Sequence, residues 1–234
     1  LYSILIQLLG RNVCYGVENP GYPKIAKIYR SMGVKYEYID LDEEGTSAKK
    51  LEEKKVDIMH ISPSHHFPTG MVMPISKRYE LLGWVTRKKE RYIIEDDYDS
   101  ELRLAGKPIP SLQSIDVSGK VIYINTFAKT LCSTVRISYM VLPEALAEKY
   151  YRELSFYSCT VSNFEQYTLA AFMNAGAFEK HINRLRNYYQ HKRDLILSTF
   201  LREPLGKYIT ISEEDSGVHF LMPVSYTHLR AHET

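Results

Sequence analysis

The chain has 234 residues, 44% of them hydrophobic and 25% charged, which is the composition of a globular protein large enough to bury a full core. A formal net charge of +2 gives this segment no electrostatic reason to bind nucleic acid or a membrane surface. Cys14, Cys132 and Cys159 lie far apart with no C-x-x-C pair, which argues against a disulfide framework or zinc site and for a reducing, cytoplasmic setting.

The chain opens on Leu1-Tyr2-Ser3-Ile4-Leu5-Ile6, an apolar helix entered midway without an initiator methionine or basic leader, and reads as a fragment. Asn12 to Val17 is expected as a strand, and Pro23 to Met32 as a helix stopped by Gly33. Val34 to Leu41 is the next strand, Ser47 to Lys55 a helix, and Val56 to Ser62 an apolar strand ended by Pro63. Ile75 to Glu90 has helical periodicity with Tyr79, Leu82 and Val85 facing inward. Tyr92 to Ile94 and Val121 to Ile124 are short apolar runs of the kind buried on both faces of a sheet.

From Pro143 onward the pattern is helical, and Phe178, Ile182, Leu185, Tyr189, Ile196 and Phe200 mark one long helix burying a continuous stripe. Its other face carries Lys180, Arg184, Lys192 and Arg193, read as solvated surface. No apolar run approaches the roughly 20 residues that span a bilayer. Residues 225–234 are excluded from the fold as a non-native tail. Strands alternating with helix-length segments imply an α/β fold: three α/β/α layers around a mostly parallel sheet, truncated at both ends.

In such sheets ligands gather beyond the carboxyl ends of the strands. Asp96 stands at the end of one expected strand, and Thr126-Phe127-Ala128-Lys129 follows another. Taken singly, an acidic pair after a strand is most often a turn or cap, and a loop lysine most often faces solvent. If the two strands are neighbours, Asp96 and Lys129 share one pocket. His60, His65 and His66 lack the flanking Cys or Glu of a metal site, and none is assigned.

The segment Thr126-Phe127-Ala128-Lys129-Thr130-Leu131 followed by Arg136 resembles the cofactor-lysine motif of fold-type I aminotransferases. Glu18-Asn19-Pro20-Gly21-Tyr22-Pro23, the stretch from Ser62 to Gly70 and Glu95-Asp96-Asp97-Tyr98-Asp99-Ser100-Glu101 resemble, more narrowly, the aminotransferase-like domain of MocR/GabR-type transcriptional regulators. The resemblance runs from about Leu1 to about Met222, with a small domain beginning near 177–224.

It implies pyridoxal 5'-phosphate (PLP) as cofactor, with Lys129 forming the internal aldimine and Asp96 pairing with the pyridinium nitrogen. Tyr98 would bond the ring hydroxyl oxygen, and Thr126 and Arg136 the phosphate. Tyr22 either stacks on the ring or is a turn aromatic. Phe67 stands where many aminotransferases have asparagine, so His65, His66 or Tyr98 must supply that contact or it is absent.

The leading expectation is an effector-sensing domain that binds an amino acid or amine. It would be a homodimer when full length, and would meet DNA only through an N-terminal winged helix outside this sequence. A free-standing aminotransferase, moving an amino group from an amino acid to a 2-oxo acid with Lys129 as base, is the alternative. A remnant with a purely structural role is the third.

Overall fold

The structure is a computed structural model that describes residues 1–104, 109–202, 205–212 and 217–223. At its centre β1 (Tyr15–Asn19), β2 (Tyr36–Asp40), β3 (Ile58–Ile61), β4 (Tyr92–Asp96), β5 (Val121–Thr126) and β6 (Ser138–Val141) form one sheet in the order β2-β1-β3-β4-β5-β6. The first five strands run parallel, and β6 closes an edge antiparallel to β5. β6 was not anticipated from sequence: it is short and mostly exposed, so it lacks the apolar run that marks the central strands.

Side chains alternate across each strand, so the sheet has two apolar faces. Tyr15, Val17, Ile58, Ile94, Ile122 and Ile124 pack under α1 (Tyr2–Leu9), α2 (Pro23–Ser31) and α6 (Glu144–Glu153). Met59, Ile61, Ile93 and Val121 pack under α3 (Ala48–Glu53), α4 (Ile75–Thr86) and α5 (Leu112–Ile115). The expected three-layer α/β/α architecture is therefore present. Gly16 lets β1 approach β3, since a Cβ there would stand 2.6 Å from the Met59 sulfur.

Strand limits differ from the apolar runs for a physical reason. β1 continues past Val17 because Glu18 and Asn19 pair in register with Ile39 and Asp40, and ladder pairing does not require apolar side chains. In α4 Leu82 and Val85 are buried as expected, but Tyr79 is not. Tyr79 is 56% exposed, whereas Arg78 beside it is fully buried. The Arg78 guanidinium is satisfied inside by the carbonyls of Met73, Pro63 and Pro110, and lies 3.8 Å from Glu95.

α7 (Asn163–Asn174) and α8 (Ala177–Phe200) follow the sheet. α8 is the expected long helix, but its stripe is not continuously buried. Ile182 alone is buried among its described residues, and Ile196 is exposed. Among the described residues, α8 meets the body mainly through its first half, near Phe127, Thr130 and Glu101. No helix among them is long and apolar enough to cross a membrane. The tail assigned to 225–234 lies outside the described residues.

Because Arg78 is a fully buried charge held by three backbone carbonyls beside Glu95, Arg78→Ala is expected to cost about 3–5 kcal/mol in urea unfolding. Tyr79→Ala should change stability by less than about 0.5 kcal/mol. Equal losses for the two variants would contradict this helix register.

Candidate functional site

The strand order reverses at β1 and β3, and a cleft of about 650 Å³ opens at the carboxyl ends of β1, β3, β4 and β5. This is where an open α/β sheet offers a crevice. Tyr22, Asp96, Tyr98, Thr126 and Lys129 all line it. Alternation along β4 decides which acidic residue faces the cleft. Asp96 shares the face of Ile94, whereas Glu95 shares that of Ile93 and turns toward α5. There Glu95 accepts the backbone N–H groups of Leu112 and Gln113, capping that helix. Asp97 is also buried, accepting the Tyr123 hydroxyl at 2.7 Å.

Asp96 is held from below. The Tyr2 hydroxyl of α1 donates to Oδ2 at 2.8 Å, and His60 Nε2 lies 3.5 Å from the same oxygen. His60 Nδ1 contacts the Tyr29 hydroxyl at 2.9 Å. With Tyr29 donating to Nδ1, the ring proton sits on Nε2 and faces Asp96 at 3.5 Å without a hydrogen bond between them. Burial raises the Tyr29 and Tyr2 hydroxyls far above the usual tyrosine range, so both remain donors.

Lys129 stands in the turn after β5, which α8 pins. The ring N–H of His181 donates to the Thr130 carbonyl at 2.8 Å, and Phe178 packs edge-on against Phe127 at 5.9 Å. The Lys129 ammonium lies 4.5 Å from the Tyr98 ring centre and 3.4 Å from Asp99 Oδ2. Thr126 closes the turn by donating to the Ile137 carbonyl at 3.2 Å and accepting from the Ala128 N–H at 3.3 Å.

Tyr98 has a buried hydroxyl without a hydrogen-bond partner among the described residues. Burial first, then the charges of Asp99, Asp96 and Asp97, raises it well above the usual tyrosine range and keeps it a donor. A buried donor of this kind on a cleft wall is what a bound acceptor would satisfy. Of the three residues offered as a replacement for the missing asparagine, Tyr98 has its hydroxyl free on the wall. His66 Nδ1 is engaged with Thr69 at 2.7 Å.

The structure does not bring His65 to the cleft wall. It is buried behind Tyr98, with Nδ1 3.0 Å from both Asp99 oxygens and its ring stacked on His219 at 3.9 Å. Arg136 is exposed in the turn before β6, with φ at 52°, and does not line the cleft either. Tyr22 is half-exposed and meets Phe67 edge-on at 5.7 Å, forming the outer lip.

Glu18, His60 and Asp99 carry contacts that motif reading had left unassigned. Their signal in sequence is a polar residue placed within or just beyond an apolar strand, which must find a partner inside. Glu18 accepts from the Ser62 N–H at 3.0 Å and the Thr46 hydroxyl at 3.2 Å, tying β1 to the loop after β3. Burial lifts its carboxyl to about 8, and burial lowers His66, 3.4 Å away, to about 4. Both are therefore uncharged at neutral pH and do not form an ion pair.

A carboxyl raised on folding loses its contribution as pH climbs from its ordinary value, 4.5, through about 8. Wild-type protein should therefore lose stability relative to Glu18→Gln across that window, by at most about 1.4 kcal/mol per pH unit. Urea midpoints measured from pH 5 to 9 check this, and parallel profiles would contradict it.

The profile of the family described as aminotransferase class I and II matches residues 10–232. YdeL of Bacillus subtilis (strain 168), named an uncharacterized HTH-type transcriptional regulator, is 42% identical over 224 residues, covering 96% of this chain and 48% of that protein. MocR of Rhizobium meliloti, named a probable rhizopine catabolism regulatory protein, is 33% identical over 210 residues, covering 90% of this chain and 42% of that protein. A crystal structure of Pyrococcus horikoshii kynurenine aminotransferase superposes with a TM-score of 0.72 at 26% identity, covering 92% of this chain and 56% of that one. The chain thus spans about half the length of the curated relatives it matches. It belongs to the aminotransferase class I and II family, as a partial domain related to the HTH-type regulators of the MocR kind.

Proposed function

We propose that the cleft binds PLP and that this segment is the amine-sensing part of a MocR/GabR-type transcriptional regulator. The observation that carries the reading is the convergence of Lys129, Asp96 and the unpartnered Tyr98 hydroxyl on one cleft. PLP supplies an aldehyde that condenses with primary amines and a ring that withdraws electrons from the carbon attached. Lys129 offers the amine for attachment. Asp96 offers a carboxylate for the ring nitrogen, already oriented by Tyr2. Tyr98 donates its hydroxyl to the ring oxygen, replacing the asparagine that Phe67 displaces. Thr126, which lines the cleft, and Arg136, exposed in the turn before β6, would hold the phosphate end.

The names of the relatives support the regulator assignment, and so does the half of their length that lies outside this chain. That remainder would carry the DNA-binding domain, and the full-length protein would act as a cytoplasmic homodimer whose effector is an amino acid or amine. A second reading, turnover as an aminotransferase, is favoured by the structural neighbour named for that activity and by the retained Lys129.

Two outcomes are expected of the full-length protein. Borohydride treatment with PLP should fix the cofactor on Lys129 in wild type and leave none fixed in Lys129→Ala. Asp96→Ala should weaken PLP retention about 10- to 100-fold, the loss expected for a charged hydrogen bond. Amines that change binding to promoter DNA without releasing a 2-oxo acid would support sensing. Steady 2-oxo acid release would replace that reading with the enzymatic one, and a wild type that stays colourless with PLP would reject both.

A further inference from the structure

Asp99 is 2% exposed and has two partners of different character. One is fixed. His65 Nδ1 sits 3.0 Å from both carboxylate oxygens, and its ring is walled by His219 at 3.9 Å and Tyr98 at 6.0 Å between ring centres. Gly217 closes the remaining side so tightly that a Cβ there would collide with the His65 ring. The other partner is mobile in principle: Lys129, on a flexible stem and 42% exposed, places its ammonium 3.4 Å from Oδ2.

The groups facing this carboxylate are His65 from the turn before α4, Asp97, Tyr98 and Glu101 from its own segment, Lys129, and His219. His219 is held neutral, since burial lowers it to about 4. Of these, Lys129 brings a full positive charge from the cleft side.

We infer that Asp99, fixed by His65, is the receiving site for the Lys129 ammonium whenever an effector amine displaces this lysine from the cofactor. The inference rests on the PLP reading above. In that exchange the carbon–nitrogen double bond to Lys129 breaks and an equivalent bond to the incoming amine forms. The amine arrives as an ammonium ion, and as its nitrogen takes over the double bond its three N–H hydrogens, and with them the charge, end on Lys129 Nζ. A positive charge thus appears on Lys129 when its covalent partner is lost. Asp99 is a buried carboxylate within reach, so it makes release of the lysine cheaper. Asp99 is accordingly a positioning residue for the exchange and leaves attachment itself to Asp96 and Tyr98.

The test uses full-length protein loaded with PLP and methylamine as probe, because methylamine needs no carboxylate-binding group. In Asp99→Asn the cofactor should stay trappable on Lys129 by borohydride, with wild-type PLP retention. The methylamine concentration that releases half of Lys129 should rise roughly tenfold, as expected for loss of a charge-assisted hydrogen bond at a partly exposed amine.

An unchanged methylamine midpoint overturns the inference. So does loss of PLP retention together with the shift, which would mark Asp99 as merely structural. If Asp99→Asn does not fold, a wild-type crystal structure with methylamine bound decides. Lys129 Nζ within hydrogen-bonding distance of Asp99 upholds the inference, and Lys129 directed to solvent refutes it. Failure of the PLP reading itself looks different, since wild type would then show no trappable bond at Lys129.

Discussion

The site depends on a carboxylate that the fold places at the end of a central strand and holds there from one side. Asp96 can face the cleft only because β4 alternates strictly, sending Ile94 and Asp96 to the α1 face and Ile93 and Glu95 to the other. A shift of one residue in register would exchange Asp96 for Glu95 or Asp97, both already committed to Leu112, Gln113 or Tyr123. Tyr2 then fixes one oxygen of Asp96 from the α1 side, with the His60 ring 3.5 Å from the same oxygen. Core packing and site geometry are therefore one problem here: the helix that covers the sheet also supplies the donor that orients the charge.

Around this charge the interior limits net charge through partners and proton uptake. Glu18 and His66 are both neutral at pH 7, by opposite shifts with the same cause, burial. Tyr98 and Tyr29 are kept protonated by burial. Arg78 is buried only because three carbonyls and Glu95 surround it. Buried ionisable groups without such partners would cost more than the surrounding packing returns. In this setting Lys129, the cationic side chain on the cleft, rests against both an aromatic face and a carboxylate.

Much of this was legible in the sequence, for identifiable reasons. The parallel sheet followed from short apolar runs separated by helix-length segments, and Asp96 and Lys129 followed from their positions just past such runs. What sequence did not reveal are partners brought together across long separations. Tyr2 and Asp96 are 94 residues apart, and no local pattern links them. Tyr79 looked like core and Arg78 drew no notice, because periodicity counts apolar residues and cannot see the carbonyls that hold a buried guanidinium. His65 was assigned to the cofactor by its motif, yet Asp99 and His219 hold it behind Tyr98. The half-covered stripe of α8 shows the same limit, since a periodic face states what could be buried and not what arrives to bury it.

Under the proposed reading, the cleft residues suit the cofactor whether the protein senses an amine or turns it over. The most direct test of the common claim is a crystal structure of the full-length protein with PLP. The account requires the cofactor aldehyde carbon bonded to Lys129 Nζ and the ring nitrogen about 3 Å from an Asp96 oxygen. A cofactor bound elsewhere, or a ring whose nitrogen faces a group other than Asp96, would contradict it.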